Sequence, residues 1–398
     1  MSTQFFASVV TVIVALHVIL ISCLYLIMLE RKTSAWLQDR IGPNRTGFSF
    51  GILPFKFHFW GLGQPLADGI KLLFKEDYTP PAVERPLFLL APVAIVITAM
   101  LGWAVIPWGG YLQWADQVVL IAAAPIPIGI VFILAIGSLA VYGVVLGGYA
   151  SNNKYSFLGS MRATAQMISY EIPMGLCVLI IILMGSTSRA DLIVADQANH
   201  VWYGFYHPLL AIIFFTCVLA ECNRAPFDLA EAEQELVGGY HTEYSSMKWA
   251  LFFMGEYMHM ITGAAFFTLL FLGGWDLPFI TEPAVGGLAL VLLKSFVFAS
   301  KAFLLIFVMM WIRWTLPRQR FDQLMRLAWR GLIPIALVML LITSLFVYLG
   351  LARWYYFLAA NVVVFVTASV ISQIIPTGGK VNRRVGLAGS RFSPPRVA

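Results

Sequence analysis

The sequence predicts an all-α fold: a polytopic membrane helix bundle of about nine transmembrane helices. Three observations carry that prediction. Of the 398 residues, 60% are hydrophobic and only 12% charged, whereas soluble globular proteins carry roughly 25% charged residues. The mean hydropathy is +0.82. The apolar residues are also grouped in runs of the roughly 20 residues that a helix needs to cross a bilayer. Lipid offers the backbone no hydrogen-bond partners, so runs of this length mean helices. A soluble enzyme and a disordered chain are both excluded.

In chain order the runs fall at residues 5–29, 87–107, 119–148, 161–185, 205–223, 248–272, 288–312, 331–350 and 354–375. The first lacks a basic leading segment and an A-x-A cleavage site, so it reads as a span and not as a cleaved signal. The fifth is the weakest, because Glu221 and Arg224 crowd its end. Basic residues test the count. With the N-terminus outside, the inner loops and tail hold 22 of the 26 Lys and Arg residues. The outer loops hold only Arg189 and Arg353, while Lys294 and Lys301 lie within span seven. That one-sidedness supports both the parity and the orientation. The net charge of +6 therefore belongs to loops that orient spans, and no nucleic-acid partner is expected. The four cysteines form no CxxC pair, so they read as packing residues and no metal site is expected in this chain. The longest connection, 30–86, is an inner loop punctuated by Gly and Pro and rich in charge, a combination expected of a functional loop.

The acidic residues are concentrated. Seven of the 20 lie between 221 and 256: Glu221, Asp228, Glu231, Glu233, Glu235, Glu243 and Glu256. Glu221, Arg224, Asp228, Glu231 and Glu235 are spaced to share one face if the segment is helical, although Pro226 must bend or break it. A solvated amphipathic loop on the inner surface accounts for this pattern equally well. Glu171 lies nine residues past Arg162 and Glu256 eight past Lys248, which puts both roughly 12–13 Å into the bilayer at the helical rise. Acids at such depth are functional candidates by default. Lys301, about 18 Å from Arg313 by the same ruler, is the expected partner for one of them. Lys294 is expected to snorkel to the outer interface. Of six histidines only His17 and His259 fall well inside spans, with His207 at the edge of the fifth, each singly, which speaks against a haem held between facing helices.

Several strings then carry a family resemblance. They are Glu30-Arg31-Lys32, Arg40-Ile41-Gly42-Pro43-Asn44, GQPLADGIKLLFKED (63–77), SLAVYG (138–143), YASNNKYSFLGSMRATAQMISYE (149–171), the 220–257 acidic run, and WIRWTLPRQRFDQLMRLAWR (311–330). In this order, over about residues 30 to 350, they resemble the subunit-1/H family of respiratory complex I, the proton-pumping NADH:quinone oxidoreductases. The resemblance implies a domain over 1–350 and, beyond the family's eight spans, an additional span and basic inner tail over 351–398. It implies that Glu30, Arg31, Arg40, Asp68 and Arg313 line or support the quinone chamber. It likewise implies that Glu171, Glu221, Arg224, Asp228, Glu231, Glu233, Glu235, Glu243, Glu256 and Lys301 form the proton or coupling path. No cofactor is implied in this chain: quinone is the substrate, and NADH, FMN and iron–sulfur clusters belong to partner chains. Partners are the peripheral-arm iron–sulfur subunits and the proton-pumping membrane subunits. The expected location is a bacterial inner membrane, with an organellar membrane as the other option.

Two departures stand out. The loop between Asn44 and Gln64 is about eleven residues longer than in many relatives and aromatic, and the ninth span is extra. Two rival readings are a homologous membrane component of a proton-pumping [NiFe] hydrogenase and a cation/proton antiporter. The full first-loop match disfavours the former, and the long charged inner loops, which look built for docking, disfavour the latter.

Overall fold

The structure, a computed structural model, describes residues 3–46, 59–114, 117–229, 233–278, 285–351 and 353–374. Each of the nine apolar runs contains a helix. These are α1 (Thr3–Trp36), α3 (Arg85–Leu101), α4 (Gly129–Ala150), α5 (Lys154–Gly185), α8 (Pro208–Glu221), α10 (Ser246–Phe271), α11 (Leu288–Thr315), α13 (Ile333–Tyr348) and α14 (Trp354–Ile374). Among the described residues, seven helical segments are long and apolar enough to cross a membrane. The other two are α8, of only 14 residues, and α10, whose apolar character is diluted by Glu256 and His259. Shorter helices fill the connections: α2 (Gln64–Phe74), α6 (Ala190–Asn199), α7 (Tyr203–Tyr206), α9 (Glu233–Leu236) and α12 (Phe321–Arg326).

The third run begins differently from the expectation. Its first residues belong to a small sheet in the order β2-β1-β3. Here β1 (Tyr111–Trp114) pairs antiparallel with β2 (Gln117–Leu120) and parallel with β3 (Val285–Gly286). Pro125 and Pro127 then follow, and each lacks the amide and the conformational range that a helix interior needs. The helix starts only at Gly129.

The connections sort to two ends of the bundle. At one end the Gln4 side chain bonds the Leu120 backbone, and the Tyr111 hydroxyl donates to Asp191, which also pairs with Arg189 at 2.6 Å. Burial opposes the Asp191 charge, but the bonds from Arg189 and Tyr111 prevail and hold its carboxyl below the usual range. At the other end Lys248 pairs with Asp77, Asn153 donates to Glu243, and Ser246 bonds the α2 carbonyls. Most of the charged candidate residues lie toward this second end, Lys301 excepted.

The core is built around α10, which is buried nearly all round. Phe214 of α8 sits among Phe266, Phe267 and Phe271 of α10 with ring centroids 5.4–6.1 Å apart. Pro92 and Pro173 lie inside α3 and α5, a placement that membrane helices tolerate because neighbours satisfy the freed carbonyls. The ninth helix is bound in a specific way. Asn361 of α14 is buried and accepts from the Leu209 amide at the start of α8. Its amide nitrogen donates to the Tyr206 and Phe357 carbonyls and faces His207 Nδ1 at 3.0 Å. Pro208 opens α8 without an amide of its own, so Asn361 caps the break between α7 and α8. Replacing Asn361 with Leu strands these groups and is expected to cost about 1–3 kcal/mol. The check is a lowered thermal midpoint of the detergent-solubilised protein, set against Val362→Ala, an exposed neighbour, which should leave it nearly unchanged.

Candidate functional site

Helical periodicity itself delivers the first residue. On α1 the buried positions Ala15, Ile19, Cys23 and Leu26 form one stripe toward the bundle. Glu30, one turn further on, continues it and is 4% exposed. On α11 the buried stripe Phe298, Ala302, Leu305 and Met309 leads in the same way to Arg313. The two meet: Arg313 forms a salt bridge with Glu30. Tyr257 of α10 donates its hydroxyl to the same carboxylate.

Arg224 supplies the third partner. α8 ends at Glu221, and Asn223 adopts a left-handed conformation (φ 49°). The chain therefore turns back and aims Arg224 into the bundle. Its Nη1 lies 3.3–3.4 Å from both Glu30 oxygens. Its guanidinium stacks over the Tyr257 ring at 4.1 Å, an arrangement that suits a desolvated cation. Its Nη2 lies 3.8 Å from Glu256, which also accepts from Tyr240 at 2.9 Å. A planar guanidinium carries its donors on separate nitrogens, so Nη1 faces Glu30 while Nη2 faces Glu256, whereas an ammonium has a single nitrogen to place. Glu30 and Arg313, expected on the quinone side, are thereby joined to Arg224 and Glu256, expected on the path.

From Glu256 the acids continue inward. Glu221 closes α8 against Gly137 of α4, where a Cβ would stand 3.0 Å from its Oε1. Glu171 of α5 is near enough to interact electrostatically with Glu221. Gln166 ties α5 to the end of α8 through the Ala220 carbonyl and Asn223.

The remaining candidates stand apart from this cluster. Arg31 and Asp68 pair at 2.7 Å along a crevice of about 280 Å³ between α1, α2 and α10. Its walls include Leu24, Met28, Leu72 and Phe253, so it is apolar with a charged mouth. Arg40 is exposed, and its side chain bonds its near neighbour Gln38. Asp228 pairs with Arg318 at 3.0 Å, and Glu235 with Arg162 at 2.6 Å. Glu243 accepts from Asn153. Glu231 lies outside the described residues, as do the middle of the aromatic loop (47–58) and the basic tail. Glu233 opens the single-turn helix α9. The helical face that the 221–235 spacing would give is not formed, because the chain from Cys222 to Leu229 is irregular around Pro226.

The two span lysines are corrections. Lys301 is not paired with Glu171 or Glu256: it donates to the carbonyls of Leu272, Gly274 and Asp276 and lies 4.1 Å over the Trp202 ring. The physical reason is local. α10 ends there, and its last carbonyls lack intrahelical partners. Lys294 does not snorkel outward, being 1% exposed. It sits on the buried stripe of α11 within electrostatic reach of Asp276. Sequence reasoning also missed Tyr257, Tyr240 and Arg318, whose contacts cross between elements. Only Tyr257, adjacent to Glu256, left a local hint.

Comparison with known families matches residues 10–344 to the family described as NADH dehydrogenase. The first of the H-type subunits of NADH-quinone oxidoreductase in Cytophaga hutchinsonii is 46% identical over 325 residues, covering 82% of this chain and 92% of that protein. Its counterpart in Geobacter sulfurreducens is 43% identical, covering 86% and 95%. The H-type subunit of Flavobacterium johnsoniae is 43% identical, covering 84% and 93%. The chain belongs to the family of H-type subunits of the NADH-quinone oxidoreductases.

Proposed function

We propose that this chain forms the quinone-access chamber of a proton-pumping NADH:quinone oxidoreductase together with its peripheral arm, and couples quinone reduction to proton translocation. The observation that carries the reading is Arg224, whose single guanidinium reaches Glu30 on the access side and Glu256 on the path side. The apolar crevice between α1, α2 and α10 suits the tail of a quinone, with Arg31 and Asp68 at its mouth. Reduction of the head group at the chamber adds negative charge near Arg313 and Glu30. In a poorly solvated interior such a change is felt over several ångströms, so Arg224 redistributes its attraction between its two carboxylates. Glu256, Glu221 and Glu171 then exchange protons as a coupled set. Glu231, Glu233 and Glu235 link the chamber to the same set, and the signal passes on to pumping subunits further along the membrane.

In this reading NADH, FMN and the iron–sulfur clusters reside in partner chains that dock on the charged end. The chain spans a bacterial inner membrane nine times with its N-terminus outside. Charge asymmetry supports that orientation.

Two variants test the proposal. Glu221→Gln should leave the complex assembled while abolishing quinone-coupled proton pumping and turnover; unchanged turnover would refute the path. Arg224→Lys keeps the charge but places it on one nitrogen, losing the planar fork that faces the two carboxylates separately. Its NADH:quinone rate should fall about tenfold, the equivalent of roughly 1.4 kcal/mol, with NADH:ferricyanide activity preserved. A normal quinone rate would remove the Arg224 link from the mechanism.

A further inference from the structure

Two small cavities lie among the acids of the path. The first, about 30 Å³, is bounded by Glu221, His259, Gly137, Thr98 and Thr262 with apolar neighbours. The second, about 20 Å³, is bounded by Glu221, His259, Glu256, Tyr240 and Asn223. A water needs roughly 10–15 Å³ and several polar partners, and each cavity supplies both. Glu221 and His259 border both cavities.

His259 follows Glu256 by three residues on α10, on the same face of the helix. Its ring packs beside the Ile95 backbone of α3. On the other side Nε2 is buried and, among the described residues, has no hydrogen-bond partner. A single histidine in a span has no partner for haem, but between two acids with water-sized cavities beside them it needs none.

We propose that His259 is a proton-transfer residue of this chain, exchanging a proton at Nε2 with Glu256 through water in the second cavity and with Glu221 through water in the first. In one passage Glu256 gives up a proton, Nε2 takes it, and Nε2 then releases it toward Glu221. The ring ends neutral, and one proton has moved between carboxylates. This rests on the acidic path proposed above.

The test uses the whole complex in native membranes. His259→Gln keeps polarity and approximate size but cannot carry a proton. Gly137→Ala intrudes on the first cavity beside the Glu221 carboxylate from the opposite helix. Ferricyanide reduction reports the amount of assembled complex. In both variants NADH:quinone turnover per assembled complex should fall about a hundredfold or more, the low end of what acid–base groups contribute. The solvent deuterium isotope effect on turnover should rise, because proton transfer becomes limiting. A slower variant with an unchanged isotope effect would assign His259 a merely structural role and overturn the proposal, as would unchanged turnover. If His259→Gln fails to assemble, Gly137→Ala decides by the same criteria. Glu221→Gln run in parallel separates the two readings: loss there with a normal His259→Gln removes His259 and leaves the path, whereas two normal variants remove both.

Discussion

A single buried carboxylate organises this end of the molecule. Glu30 is shielded from water on α1, and an unpaired charge in that position would cost several kcal/mol. Arg313 of α11, Arg224 beyond α8 and Tyr257 of α10 all converge on it. Four elements distant in sequence are therefore fixed relative to one another by one desolvated charge. α8 must stop at Glu221 so that Arg224 can turn inward, α10 must present Glu256 and Tyr257 side by side, and α11 must run to Arg313 before it ends. Such a network is weak evidence for net stability, yet removing one partner is strongly destabilising because it leaves the others buried and uncompensated.

The second constraint is the bilayer, which demands that every backbone group be satisfied within the protein. Where helices run unbroken this is automatic. At the breaks, side chains substitute. Gln166 takes the Ala220 carbonyl, Gln197 accepts from the Tyr203 and Gly273 amides and donates to the Leu269 carbonyl, and Lys301 caps the end of α10. These buried polar residues sit at interruptions in the helices, which is also where the ionisable groups can approach one another.

Much of this is legible in the sequence, for identifiable reasons. Spans follow from hydropathy because the lipid solvent reads each segment by itself, and every apolar run does hold a helix. Glu171 and Glu256 are legible as acids inside apolar runs and Glu221 as an acid at the end of one, because a charge is conspicuous there. What escapes is pairing. Lys301 looks like a counter-ion for a carboxylate, yet its nearest acceptors are carbonyls of a helix end that no composition or period reveals. Residues 119–128 read as the start of a span because they are apolar, and only the two prolines hint otherwise. The convergence of Glu30 with Arg224, 194 positions apart, has no local signature. His259, an isolated histidine by sequence, acquires meaning only from the cavities that neighbouring helices leave beside it.

The attachment of α14 bears on biogenesis. The family match ends at residue 344, and Asn361 lies beyond it. The hydrogen bonds at the opening of α8 come from a residue 152 positions later. During synthesis, which delivers the chain from its N-terminus at about 5–20 residues per second, α8 must wait roughly 10–30 s after its own emergence for this cap. The start of α8 is thus left open to other partners, an insertion factor or a neighbouring chain, until late in translation. The last described helix then completes the seating of the acid-bearing helix α8.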